Sequence, residues 1–320
     1  RVRRDSVMAE NIATRQSYGK VLVELGSIRD DIVVLDADLS GSTMTKEFAK
    51  VYPGRFFNAG IAEANMYGMA AGLAVSGKTV FASTFAMFAA GRAYEIIRNS
   101  IGYTGANVKI CATHAGLTVG EDGASHQAIE DIALMRSIPG MIVLNPADDV
   151  SARKLLHQAA ELKGPVYVRL GRAAVPVIYD EEERIDIGKA KTLRNGKDYA
   201  IIATGIMVAK ALAAAGQLAS EGIDVRVIDM HTLKPLDEEA ILCAARETKG
   251  IVTAEEHTLP GGLGAACAQI CSMYTPAIVR SIGIRDTFGE SGKPDELLEK
   301  YGLTADAIAC EVRALDENGK

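Results

Sequence analysis

The chain has 320 residues, of which 48% are apolar, with 31 glycines, no tryptophan and a formal charge of -6 from 35 basic and 41 acidic side chains. That length exceeds the usual single domain of about 100 to 200 residues and allows two, each with a core of its own. The mild acidity, without any Lys/Arg-rich block interleaved with aromatics, excludes the electrostatic footprint of a nucleic-acid binder. No run of about 18 apolar residues offers a membrane span, and none follows the basic opening Arg1-Val2-Arg3-Arg4, so a cytoplasmic α/β protein is expected.

Taken in chain order, short Val- and Ile-rich runs alternate with longer helical patterns, the signature of βαβ units and a mainly parallel sheet. The strand candidates of the first series are 32–35, 79–82, 108–111, 141–144 and 166–169, with helical patterns near 16–26, 62–75, 86–100, 127–135 and 148–162. From Val177 the pattern lapses into a charged stretch containing Asp180-Glu181-Glu182-Glu183-Arg184. A second series then alternates strands at 199–205, 225–228, 250–253 and 277–279 with helices to about 220, near 237–247 and after Gly264. The expected organisation is a first α/β domain over 10–176, a linker or surface hairpin over 177–197 and a second α/β domain over 198–318. Cys111, Cys243, Cys267, Cys271 and Cys310 show no metal-binding spacing and read as buried, reduced thiols.

In open α/β sheets ligands gather where loops leave the carboxyl ends of strands, so polar clusters there carry the most information. Asp36-Ala37-Asp38-Leu39-Ser40-Gly41-Ser42 ends one strand with carboxylates and hydroxyls, which also serve as helix caps. Glu63 enters an apolar helical stretch with no basic residue three or four positions on. Such a carboxylate is paired, protonated or part of a site, unless it only favours the helix dipole. The loop from His114 to Gln127 gathers two histidines, two acids and three glycines after a strand, a composition that core packing does not explain. Its histidines are twelve residues apart, which fits acid/base or phosphate chemistry better than a metal. Arg169 and Arg172 end another strand and Arg15 precedes the first helix; each is a phosphate ligand or a surface ion pair. Glu255-Glu256-His257 and Gly261-Gly262-Leu263-Gly264 in the second series read as a helix start or an association surface.

Together these segments resemble the transketolase family, namely its pyrimidine-binding and C-terminal domains. The motifs are Ala13-Thr14-Arg15, Ala37-Asp38-Leu39 with Gly41-Ser42, Gly60-Ile61-Ala62-Glu63-Ala64-Asn65-Met66 and Ser83-Thr84-Phe85 through Phe88. Gly120-Glu121-Asp122-Gly123-Ala124-Ser125-His126-Gln127 and Phe288-Gly289-Glu290-Ser291 complete the set. They occur in family order across almost the whole chain. The resemblance implies that Glu63 hydrogen-bonds the aminopyrimidine of thiamine diphosphate, stabilising the imino tautomer whose nitrogen removes the thiazolium proton. It further implies that Phe85 and Phe88 flank that ring and Asp38 lies beside it. His126 and Asp122 would meet the sugar hydroxyls, with Glu63 and His126 the catalytic pair, while Arg15, Ser42, His114 and Arg172 would hold the sugar phosphate. The implied reaction passes a two-carbon ketol unit from a ketose phosphate to an aldose phosphate.

Two positions depart from the family: Ala115 stands where an acid is usual, and Gly91 where an aromatic is usual. The sequence also lacks the diphosphate-binding domain with its Gly-Asp-Gly motif and Asn. The resemblance therefore assigns no metal ligand to this chain. It implies an N-terminal partner subunit that holds Mg2+ and the diphosphate, and an α2β2 assembly. The β subunit of a 2-oxoacid dehydrogenase has the same two domains, but the Gly-Glu-Asp-Gly-x-x-His-Gln loop and Asn65-Met66 argue against it. His114 through Leu117 is also similar to 1-deoxyxylulose-5-phosphate synthase. A scaffold that merely kept the fold is the remaining alternative, opposed by intact Glu63, Asp122 and His126.

Overall fold

The structure is a computed structural model and describes residues 11–318; the basic opening run and residue 10, where the first domain is expected to begin, lie outside the described residues. Its first half contributes β1 (Asn11–Ala13), β2 (Ile32–Asp36), β3 (Phe56–Asn58), β4 (Thr79–Phe85), β5 (Val108–Thr113), β6 (Ile142–Leu144), β7 (Val166–Arg169) and β8 (Ala174–Pro176). The second half adds β9 (Lys191–Arg194), β10 (Tyr199–Ala203), β11 (Val225–Asp229), β12 (Thr232–Lys234), β13 (Ile251–Thr258) and β14 (Val279–Ile284).

The larger sheet runs β12-β6-β7-β5-β4-β2-β3 and the smaller one β14-β13-β10-β11-β9, with β1 and β8 forming a separate antiparallel ribbon. Every ladder of the two sheets is parallel except β12 on β6 and β9 on β11. The expected mainly parallel α/β architecture is therefore present twice. Helices cover both faces of these strands, which explains their near-continuous apolar sequences: all residues of β2, β4 and β5 are buried.

The expected strands and helices are present, with instructive differences. Lys191–Arg194, in the stretch read as linker, is an edge strand on β11, registering Arg194 with Val227 and Thr192 with Ile228. The helix expected at 86–100 is broken into π-helical turns at Phe88–Arg92 and Ile97–Gly102 around a short α-helical piece, Tyr94–Ile96. A π-turn holds one more residue than an α-turn and so redirects the side chains that follow it. The helices Pro294–Lys300 and Ala305–Asn318 follow the last expected strand. Of the cysteines expected to be buried, Cys111, Cys267 and Cys271 are, but Cys243 is half-buried and Cys310 is exposed, both on helices with one face toward solvent.

The halves do not keep separate cores. One buried apolar cluster joins Leu22, Leu144, Val168 and Leu170 to Ile201, Met207, Leu298 and Leu315; the other joins Val80, Ile110 and Tyr167 to Ile202, Met230 and Leu263. The strand β12 extends that union into the backbone, because a segment of the second half completes the edge of the first sheet.

Candidate active site

Parallel pairing brings the carboxyl ends of β2, β3, β4, β5 and β7 to one edge of the large sheet, and the candidate residues leave from there. The loop after β2 is pinned by Asp36. Its buried carboxylate accepts the Leu39 N–H at 2.6 Å on one oxygen and the Thr43 and Thr45 hydroxyls at 2.6 and 2.9 Å on the other. Burial pushes this carboxyl above its ordinary pKa against those hydrogen bonds. Asp38 adopts the left-handed backbone region (φ +64°) and is exposed; its carboxylate accepts the Asn58 amide N–H at 2.9 Å, while Asn58 accepts the Asp38 and Gly60 N–H groups. The ends of β2 and β3 are thus tied just before the helix that opens at Glu63.

Glu63 is the first residue of the helix Glu63–Val75, and its side chain is only 2% exposed. Arg92 supplies the basic partner that the local sequence lacks: its Nη1 donates to both carboxylate oxygens, at 2.8 and 2.9 Å. The same guanidinium lies over the Phe88 ring, 4.6 Å from its centroid. Phe88 stacks with Phe85 at 5.9 Å, and Phe85 stacks with the His114 imidazole at 3.9 Å. His126 meets Phe88 edge-on at 5.4 Å. One row of rings and charges therefore runs Glu63, Arg92, Phe88, Phe85, His114, with His126 alongside.

His114 is buried and also left-handed (φ +57°). Non-glycine residues rarely hold that conformation, so its presence at Asp38 and His114 marks backbone fixed by its surroundings. The imidazole Nδ1 is 2.9 Å from the Thr113 hydroxyl. Burial first, then the nearby Arg15, Arg172 and His126, push His114 down to about 3, so it stays neutral at ordinary pH. Arg15 donates to the backbone carbonyl of Ser42 at 2.8 Å, and burial first, then the nearby Arg172 charge, lowers its pKa. Two guanidinium groups thus lie within electrostatic reach of a neutral imidazole, side chains of the kind that suits an oxyanion.

In the loop beyond, Gly116, Gly120 and Gly123 all have positive φ, which lets the chain turn tightly through Leu117–Asp122. Arg172 donates to the Val119 carbonyl and lies 3.5 Å from Glu121 and 3.9 Å from Asp122, both exposed. Asp122 therefore sits on the arginine side of the site. His126 is half-buried, with Nδ1 3.0 Å from the Ser125 hydroxyl.

Arg92 and Asn58 were not singled out as site residues from the sequence, and Asp36 was named only within its polar cluster. Arg92 and Asn58 act across loops, and only the lack of a local partner for Glu63 hinted at a distant cation. Arg169 is neither a surface ion pair nor part of the oxyanion group. It is buried, with Nε 2.8 Å from Asp131.

Comparison with known proteins follows the same division of the chain. Residues 10–177 match the family model described as transketolase, pyrimidine binding domain, and residues 188–308 that described as transketolase, C-terminal domain. A Methanocaldococcus jannaschii protein, provisionally described as a transketolase C-terminal section, is 54% identical over 93% of this chain and 94% of its own length. The 6-deoxy-6-sulfo-D-fructose transketolase subunit SqwH of Clostridium sp. (strain MSTE9) is 45% identical over 95% of this chain and 93% of its own. A solved structure described as a split gene transketolase, inactive beta4 tetramer, superposes with a TM-score of 0.89 at 56% identity, covering 95% of this chain and 98% of that one. Among the described residues no helix is long and apolar enough to cross a membrane. The chain belongs to the transketolase family and carries its pyrimidine-binding domain followed by its C-terminal domain.

Proposed function

We propose that the chain is the C-terminal subunit of a thiamine diphosphate-dependent transketolase. It moves a two-carbon ketol unit from a ketose phosphate to an aldose phosphate, and it is active only with a second chain that brings the diphosphate-binding domain and Mg2+, as an α2β2 assembly. The observation that carries this reading is the continuous row from Glu63 through Phe88 and Phe85 to His114, with Arg15 and Arg172 at its far end.

The row suits the pyrimidine half of the cofactor. Arg92 already places a planar, cationic N–H donor against the Glu63 carboxylate and the Phe88 face. An aminopyrimidine ring makes the same demand for a flat apolar face and a carboxylate acceptor. When bound, the cofactor supplies stabilisation of a carbanion at a carbonyl carbon. The chain's own residues do the rest. Glu63 accepts an N–H of the ring and holds a proton there. Phe85 and Phe88 exclude water from its faces, with Asp38 at the margin. Arg15 and Arg172 bind the terminal oxyanion of the donor, with Ser42 beside them and His114 neutral between the charges. Asp122 and His126 meet the sugar hydroxyls, and His126 takes or returns a proton at the donor hydroxyl.

A second donor keeps the same chemistry. Paired guanidinium groups accept a sulfonate as readily as a phosphate, and the Clostridium relative is by name a sulfofructose transketolase subunit. The test mixes this chain with a candidate N-terminal subunit, thiamine diphosphate and Mg2+. It follows glyceraldehyde 3-phosphate release from xylulose 5-phosphate with ribose 5-phosphate as acceptor, and in parallel the consumption of 6-deoxy-6-sulfo-D-fructose. Turnover in the mixture, absent from either chain alone, is the expected result. A cofactor-retaining complex that uses neither donor sinks the reading.

A further inference from the structure

The second half of the chain reaches back to the glycine-rich loop at two places. Glu256, in β13 of the smaller sheet, is 3% exposed, and its Oε1 accepts the backbone N–H of Thr118, 138 residues away in sequence, at 2.7 Å. Its other oxygen lies 4.0 Å from Arg169 Nη1. Arg169 Nη2 donates to the backbone carbonyls of Glu256 at 3.0 Å and Ala128 at 3.3 Å. The loop lies flat on this carboxylate: a Cβ built on Gly116, at φ +81°, would fall 2.2 Å from the Glu256 carboxyl carbon. The second contact closes the loop's far end. Gln127 Nε2 donates to the Glu290 carbonyl at 2.8 Å, as well as to the Leu117 and Gly120 carbonyls at 3.3 Å each. Here too the approach leaves no room for a side chain, since a Cβ on Gly289 would collide with the Gln127 amide.

A buried carboxylate directed at a single backbone N–H does more than fill space. Charged hydrogen bonds are stronger than neutral ones and fix direction as well as distance. Thr118 lies between His114 on one side and Asp122 and His126 on the other, so fixing its N–H constrains the wall on which all three sit. We propose that Glu256 is a positioning residue: acting from the C-terminal domain through the Thr118 backbone, it sets the register of the sugar- and oxyanion-facing loop. This rests on the functional reading above for what the loop binds, and on the contacts alone for what holds it.

Two measurements test it. In the assembled two-chain enzyme, Glu256→Ala should raise the KM for the anionic donor about tenfold or more, with a smaller change in kcat. Affinity for thiamine diphosphate, set by Glu63, Phe85 and Phe88, should stay unchanged. Glu256→Gln, which keeps an acceptor for the Thr118 N–H, should restore the KM to within about threefold of the wild type. A donor KM unmoved by Glu256→Ala, or cofactor and donor binding lost together, overturns the proposal. In the isolated chain, Glu256→Ala should speed amide hydrogen exchange over 114–127 about tenfold, leaving 79–85 as in the wild type. Unchanged loop exchange overturns the clamp whether or not the enzyme turns over. A loosened loop beside a wild-type complex that uses neither donor instead overturns the functional reading and leaves the clamp standing.

Discussion

Arg92 holds both oxygens of the Glu63 carboxylate with a single guanidinium nitrogen, from a π-helical turn 29 residues further along the chain. Glu63 is buried and Arg92 is 51% exposed, so the arginine is the member free to leave. Removing it strands a buried carboxylate, which costs roughly 1–3 kcal/mol. Arg92→Ala should therefore lower the stability of the isolated chain by about that amount in denaturant titration. If the pyrimidine takes the arginine's place, the deficit should shrink in the cofactor-loaded complex. An equal deficit in both states argues against a shared seat.

Glu63→Ala leaves the helix start intact but removes the proposed proton-holding group. Under the proposed function kcat should drop on the order of 10²–10⁴-fold, the range of general acid–base contributions. Circular dichroism and subunit assembly should match the wild type, and single-turnover kinetics separate the chemical step from cofactor loss.

Arg15→Ala and Arg172→Ala each take one charged donor from the oxyanion group. A charge-assisted hydrogen bond contributes about 1.5–3 kcal/mol, so each change should raise the donor KM roughly 10- to 150-fold. The salt dependence of KM should flatten at the same time. An uncharged acceptor aldehyde should be affected far less, which a two-substrate kinetic grid would show.

Asp229 predicts a pH effect on stability. It is fully buried, accepts the Tyr179 hydroxyl at 2.7 Å, and is pushed up to about 8, by burial first and by the nearby Asp148 charge as well. A carboxyl whose folded pKa lies above its unfolded value keeps its proton in the native state while the unfolded chain has lost it. Its contribution is present below about 4 and fades as pH rises toward 8, at up to about 1.36 kcal/mol per unit. Asp229→Asn, neutral throughout, should match the wild type near pH 4.5 and exceed it in melting temperature near pH 8. A constant difference across that range contradicts the assignment.

How far the sequence could be read depended on the range of each interaction. The strands Ile32–Asp36, Thr79–Phe85 and Val108–Thr113 are apolar runs between polar turns, so their positions were legible locally. Thr232–Lys234 was not: three residues before a proline carry no period, and their role comes from pairing with β6, about ninety residues earlier. The break in the 86–100 helix was also hidden, because a π-turn uses the same helix-forming residues as an α-turn. At the candidate site, Phe85 and Phe88, which fit a plain core, were named only through the family resemblance, whereas Glu63, His114 and His126 stood out as side chains misplaced in a plain core or loop. Their partners did not, since Arg92 finds Glu63 across 29 residues and Glu256 finds Thr118 across 138.

The strand β12 also limits how this polypeptide can be divided. It occupies the outer side of Ile142–Leu144, which would otherwise be an unpaired edge, and both apolar clusters cross the same seam. A gene cut near residue 197 would release a first fragment with an open sheet margin and bare apolar surface, the combination that drives edge-to-edge aggregation. Fragments made by cutting between the two domains should therefore fall out of solution unless co-produced.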